Sequence, residues 1–400
     1  MLRDNPDAAS VQIYGTNVDR DAPALTACEV REAEPRYVGD DEYGAFALDF
    51  CRRHRIDVLI PPRRLAALAG LTRAFAEIGT HLMCSPAPAI DVLTSKSRTY
   101  EAAGAAGVPV PPWRLVSDAE GFRAAAAELA ADGERVCFKP AGEYSAFGFR
   151  ILDDRPLRVR DLLAPAAPLA SVGAVTDALR RAADEGESIP EFLVMPYLDG
   201  PEVSVDCLSA PGGSTITAIA RSKQGRYRLL LDDPAVTAIA RRLVGHFELA
   251  YLSNVQLRHR AGEPVLLEAN PRASAGIFQT AFTGVNLPWA AVRLLLRGDA
   301  GPLPRPRLGA RIAVTESATE VEVTPVPGRA ERPAAHHEVF RSLTGLDGGR
   351  VVAPRAPVLA EAPHGEAAGA AVAAAAATAT AVAATAVTVP AAATAVAAAG

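Results

Sequence analysis

Gln256, Glu268 and Asn270 lie in two short runs, Ser253 to His259 and Val265 onward, that flank Arg260-Ala261-Gly262-Glu263-Pro264. Two apolar runs joined by a short Gly-containing connection predict a hairpin centred near Gly262. Antiparallel pairing about that centre places Gln256 opposite Glu268, and the strand period of two places Asn270 on the face of Glu268. One carboxylate and two amide oxygens then converge, a hard-oxygen set suited to Mg2+ that phosphates also hold. Arg272, just beyond, adds a fixed bidentate cation. An exposed strand end closed by Pro271 is the plainer alternative, and these residues alone leave both open.

Lysine usage adds to the pattern. The chain is rich in arginine and has only three lysines, Lys96, Lys139 and Lys223, so each is a candidate for a task that a guanidinium does badly. Lys139 sits in the apolar run Val136-Cys137-Phe138-Lys139-Pro140, followed by a loop of mostly small residues through Ser145 and a second strand, Phe149 to Leu152. Such a hairpin can lie over a polyphosphate, offering backbone N–H groups and a compact ammonium. Lys96 opens a helical stretch, Ser97 to Gly107. A solvated surface lysine is the alternative at each position.

Taken in order, these pieces resemble the ATP-grasp superfamily, closest to the branch of the carbamoyl-phosphate synthetase large subunit and the carboxylate-amine ligases. The resemblance runs from about Ile56 to Gly298. It is carried by Thr94-Ser95-Lys96 with Ala106-Gly107-Val108-Pro109-Val110-Pro111, by Phe138-Lys139-Pro140, and by Pro196-Tyr197-Leu198-Asp199-Gly200-Pro201-Glu202-Val203-Ser204-Val205-Asp206. Asn254-Val255-Gln256, Leu267-Glu268-Ala269-Asn270-Pro271-Arg272 and Gly284-Val285-Asn286-Leu287-Pro288 complete the series.

The resemblance implies Lys96 and Lys139 on ATP phosphates, with the lid loop around Ser145 beside them, and Glu202 on the ribose hydroxyls. It implies Gln256, Glu268 and Asn270 on Mg2+, with Mn2+ as an alternative, and Arg272 with Lys139 as catalytic residues at the transferred phosphoryl group. Backbone groups of the hinge from Val194 through Met195 and Tyr197 to Leu198 would meet adenine. Leu198, Leu257 and Leu267 are candidate apolar walls, with core packing as the equal alternative. Asp206 faces the side of Glu202 and either supports the site or meets solvent. The implied activity is ATP-dependent ligation of a small carboxylate, an amino acid or related acid, to an amine through an acyl phosphate. A different acceptor, carboxylation, or ATP binding without catalysis are the alternatives. A homodimer is an open expectation.

The sequence departs from the family at Pro196, where relatives often have a glutamate before the hinge aromatic, and in a lid loop with fewer glycines that carries Tyr144 and Phe147. The first readable strand, Val11 to Tyr14, resembles the family's second. The strand and Gly-rich turn that would precede it have no counterpart, so either the chain start is truncated or this branch has lost that unit, and part of the substrate pocket would go with it.

The elements that position these residues imply an α/β chain with an α+β lid, an ATP-grasp fold. Residues 1–95 read as a short N-terminal open parallel-sheet domain, alternating strands with the helices Tyr43 to His54 and Arg64 to Ile78. Residues 96–300 read as the ATP-grasp domain, with a small lid over 113–193 and a larger sheet carrying the metal residues. Residues 301–355 read as a strand pair, Arg311 to Val323, and linker. Residues 356–400 read as a low-complexity Ala/Val/Thr tail, unpacked and without chemistry; from Ala367 to Gly400 it has no charge and Pro390 interrupts it, against a membrane span.

The 400 residues, about half apolar, suffice for two or three domains. A net charge of -5 gives no basic footprint, so nucleic acid is not an expected partner. The widely spaced Cys28, Cys51, Cys84, Cys137 and Cys207 read as free thiols of a reducing cytosol. The polar start carries no leader pattern, the expected location is cytoplasmic, and His336-His337 reads as an exposed pair.

Overall fold

The structure of the protein, a computed structural model, describes residues 1–316 apart from 37, 143–146, 157 and 164–166, together with the backbone of 384–388. The first sheet contains β1 (Gln12–Asn17), β2 (Val30–Ala33), β3 (Val58–Ile60) and β4 (His81–Leu82). The second contains β5 (Arg114–Val116), β6 (Val136–Pro140), β7 (Arg150–Leu152), β8 (Leu169–Ala170) and β9 (Phe192–Pro196). The third contains β10 (Glu202–Ser209), β11 (Thr215–Gln224), β12 (Tyr227–Leu231), β13 (Tyr251–Arg260), β14 (Glu263–Asn270) and β15 (Arg311–Ala313). β16 (Ala384–Thr388) returns to the first sheet, whose order is β2-β1-β16-β3-β4.

β1 pairs with β2 in parallel, and so does β3 with β4, as alternation of strands and helices predicts. The helix Asp40–His54 joins the halves, burying Tyr43, Ala47, Phe50 and Cys51 at three- and four-residue spacing. Its Asp40, Asp41 and Glu42 begin the helix and Arg52, Arg53 and His54 end it, both favourable against the helix dipole. Two expectations are corrected. The stretch Arg64 to Ile78 is two helices, Leu65–Ala69 and Thr72–Glu77, parted at Gly70. β16 stands between β1 and β3, antiparallel to both, so the sheet is mixed and residues 384–388 of the tail are a central strand.

The second sheet, order β5-β9-β6-β7-β8, forms the lid with the helices Ala119–Leu129 and Val172–Asp184 across it. Asp118 and Ser171 cap those helices by accepting from the N–H groups of Gly121 and Ala174. Phe122, Phe138 and Phe192 meet edge to face inside this core.

The third sheet is antiparallel throughout, order β14-β13-β10-β11-β12-β15. On one face Val203, Val205, Val255 and Leu257 pack with Val236, Ala240 and Leu243 of the helix Pro234–His246. The other face changes along its length: at one end Leu208, Ile219, Leu230 and Leu252 cover the helix Leu287–Arg297, and at the other the polar residues begin. Arg311–Ala313 is an edge strand of this sheet and not half of a separate pair; the remainder of that expected pair, the linker, His336, His337 and the tail outside 384–388 lie beyond the described residues. Among the described residues no helix is long and apolar enough to cross a membrane.

Candidate active site

The connection between β13 and β14 is a two-residue turn, Ala261 and Gly262, both at positive φ (52° and 87°), with Arg260 pairing with Glu263. Left-handed turns of this kind match the strand twist. A regular ladder continued from this turn would set Glu268 opposite Val255. Instead Leu257 pairs with Leu266 and Gln256 with Glu268, so Leu267 is one extra residue, a β-bulge. The expected opposition of Gln256 and Glu268 is therefore present, reached through the bulge and not through a longer turn. Asn254 stands opposite Asn270, and the four side chains share one face.

The bulge also anchors the neighbouring helix, Lys96–Ala105. Tyr100 Oη donates to the Leu267 carbonyl at 3.0 Å, and the N–H of Lys96 donates to the carbonyl of Ala141 at 3.4 Å, next to the end of β6. Lys139, on β6, is partly buried with Nζ 5.8 Å from the centre of the Tyr100 ring. Burial pushes its ammonium down to about 8; Glu268 opposes that shift and Lys96 adds to it. Lys139, Lys96 and Glu268 thus lie within electrostatic reach of one another, and Lys96, Tyr100, Glu268 and Asn270 line one cleft.

Glu202 opens β10, partly buried and opposite Lys223. Arg272 is partly buried two residues beyond β14, and its Nη1 donates to the Ala273 carbonyl at 2.9 Å. In the hinge, Val194 pairs with Arg114 of β5 on one side and Phe138 of β6 on the other, within the ladder. The β5 pairing ends there, leaving that edge of β9 open from Met195 onward. The Tyr197 N–H is engaged with the Arg135 carbonyl at 2.6 Å, and the Leu198 carbonyl accepts from Arg258 Nη1 at 2.8 Å. Leu257 and Leu198 are buried in the core beneath the hinge, while Leu267 is partly buried at the bulge. Ser145 and Tyr144 lie outside the described residues.

A polar network, of which only Asp206 was a sequence candidate, lies behind the cluster. Asp206 is fully buried and ion-paired with Arg221, which excludes the solvent-facing alternative. Asn254 Nδ2 donates to Ser204 Oγ at 2.8 Å, to the Val205 carbonyl at 3.2 Å and to Asp206 Oδ1 at 2.9 Å. Its Oδ1 is buried and has no hydrogen-bond partner among the described residues. An orphaned buried acceptor beside Glu268 and Asn270 fits a cation-facing oxygen. Among the described residues no three His, Cys, Asp or Glu side chains cluster, so the set has one carboxylate, Glu268, with amide oxygens. One charge attracts a reluctantly dehydrating ion weakly, so the cluster suits Mg2+ only in company with phosphate oxygens.

Residues 188–318, which contain β10 to β15 and the whole oxygen cluster, match a family model described as ATP-grasp in the biosynthetic pathway with Ter operon. The biotin carboxylase domain of Hydrogenobacter thermophilus 2-oxoglutarate carboxylase, a complex with MgADP, ADP and bicarbonate, aligns at TM-score 0.52 and 17% identity over 72% of this chain and 65% of that one. The fold is that of the ATP-grasp superfamily. Campylobacter jejuni biotin carboxylase (TM-score 0.52, 15% identity, 74% of this chain and 67% of that one) shares it. So does N5-carboxyaminoimidazole ribonucleotide synthetase, as an ADP complex (TM-score 0.52, 17% identity, 74% and 72%). The chain spans less than two thirds of the first of these. No protein of curated function matches the sequence. In this ATP-grasp fold the lid brings Lys139 toward the large sheet, while β13 and β14 supply the oxygens.

Proposed function

We propose that the protein is an ATP-dependent ligase that joins a small carboxylate, an amino acid or related acid, to an amine. The opposition of Gln256 and Glu268 beside Asn270, with Lys139 and Lys96 within reach of the same carboxylate, carries this reading. A carboxylate anion resists attack by an amine, so the acid needs a leaving group. ATP supplies it: the γ-phosphoryl group passes to the carboxylate, and the amine then displaces phosphate, leaving an amide, ADP and phosphate. Mg2+, when bound, offsets charge on the phosphate oxygens.

The work of the chain is positioning and charge neutralisation. Glu268, Gln256 and Asn270 would hold the metal, with Asn254 Oδ1 as a further oxygen. Lys139 and Lys96 would bind the phosphates and Arg272 the transferring phosphoryl group, while Glu202 would bind the ribose. The open edge of β9 from Met195 would meet adenine. The lid would keep water from the activated acid, and no nucleophilic side chain is required.

A matrix of amino acids and amines, with bicarbonate as a separate arm, tests this by ADP release. Release that depends on both members of a pair is expected. Release with bicarbonate alone would replace the amine by a carboxylation reaction, and ATP binding without release in any arm would mark a binder.

A further inference from the structure

One arginine on the polar face of the large sheet has no part in the proposed chemistry, yet it is buried and fully engaged. Arg221 on β11, 7% exposed, pairs in register with Ser204, and Ser204 pairs with Gln256 opposite Glu268. A single cross-strand row thus runs from the oxygen cluster to this guanidinium. Its Nε donates to Asp206 Oδ2 at 2.8 Å, its Nη1 to Gln279 Oε1 at 3.1 Å and its Nη2 to Ser274 Oγ at 2.7 Å. Asp206 accepts from Asn254 with its other oxygen. Ser274 and Gln279 belong to the segment that leaves β14 through Arg272 and turns into the 3-10 helix Ile277–Thr283.

That segment rests directly on the guanidinium. A Cβ at Gly276 would come within 2.7 to 2.8 Å of three guanidinium atoms of Arg221, so only glycine lets the chain lie this close. A planar fork fixes three directions at once, which an ammonium does not. A buried ion pair is also weak evidence of a purely stabilising role, since apolar replacements often serve stability as well.

We infer that Arg221 is a positioning residue. Through Asp206 and Asn254 it grips strand β13, and through Ser274 and Gln279 it fixes the segment after β14, setting Arg272 in register with Glu268 and Asn270. The inference rests on the proposed nucleotide site, in which Arg272 meets the γ-phosphoryl group.

The test is calorimetric affinity for MgADP and for the Mg2+ complex of β,γ-imido-ATP, in the full chain and in Arg221→Lys and Gly276→Ala. In Arg221→Lys, MgADP affinity should stay within about twofold while the triphosphate analogue weakens by about tenfold. Gly276→Ala keeps every charge, its closest clashes are with the guanidinium, and it should weaken the analogue selectively as well; it decides the matter should Arg221→Lys fail to fold. Equal weakening of both ligands, or no weakening of the analogue in a folded variant, would overturn the positioning role. Failure of the intact protein to bind either nucleotide would instead overturn the nucleotide site, and the inference with it.

Discussion

Arg272 and Lys139 both bring positive charge to the site, but by different means. Arg272 follows the metal strand at once, and its guanidinium offers paired donors that a lysine cannot reproduce. Arg272→Lys should therefore leave ADP affinity near the wild-type value, weaken ATP by about tenfold and cut product formation by about a hundredfold, the scale for loss of a preorganised oxyanion donor. Comparing ADP and ATP affinities with turnover on an active substrate pair checks this. Lys139 matters through its proton. Its ordinary value of 10.5 is pushed down to about 8 by burial. Below pH 8 both folded and unfolded chains carry this proton and the burial penalty is fully present. Between 8 and 10.5 the unfolded chain retains protons the folded one has lost, so stability rises with pH across that window. Urea midpoints of wild type should thus gain on those of Lys139→Met between pH 7.5 and 9.5. ATP affinity should fall over the same range, because the phosphates need the charged form.

The element that most shapes the site is the bulge at Leu267. Residue types and period two disclosed which side chains belong together, because Gln256, Glu268 and Asn270 are polar interruptions in apolar runs. They did not disclose how, since a single extra residue in β14 trades the length of the turn against the register of the ladder. The Lys139 hairpin of the lid was legible from local pattern. The Asp206–Arg221 pair was not, because two residues fifteen positions apart on neighbouring strands leave no local signal. Leu198 and Leu257 read equally as ligand walls or as core, because apolar residues near a site read alike whichever they face. Tyr100→Phe removes only the hydroxyl donating to Leu267, so it should cost about 1 kcal/mol of stability and weaken ATP binding without abolishing it. Thermal melting together with nucleotide titration measures both effects, and an unchanged melting temperature would mean that the helix Lys96–Ala105 does not depend on that bond.

Across the molecule, the first sheet takes in residues 384–388, far along the chain from its other strands. Composition makes the tail look dispensable, since Ala, Val and Thr offer few large side chains to bury. Yet Ala384–Thr388 stands between β1 and β3 with ladders on both sides. Short β-branched runs suit a central strand whatever the complexity of the surrounding sequence. A chain ended at Ala356 should therefore melt at a lower temperature and expose the first sheet to protease, while keeping nucleotide binding through residues 96–300; unchanged melting would remove β16 from the fold. The site's central claim is that one carboxylate and its amide neighbours hold a divalent ion only in company with nucleotide phosphates. Mn2+ titration followed by electron paramagnetic resonance, with and without ATP, addresses it directly in wild type and Glu268→Gln. Tight Mn2+ binding should appear only with ATP and should weaken by tenfold or more in Glu268→Gln, about 1.4 kcal/mol at the least, with ATP affinity itself far less affected. Wild-type Mn2+ affinity in the ATP complex of Glu268→Gln would contradict the account.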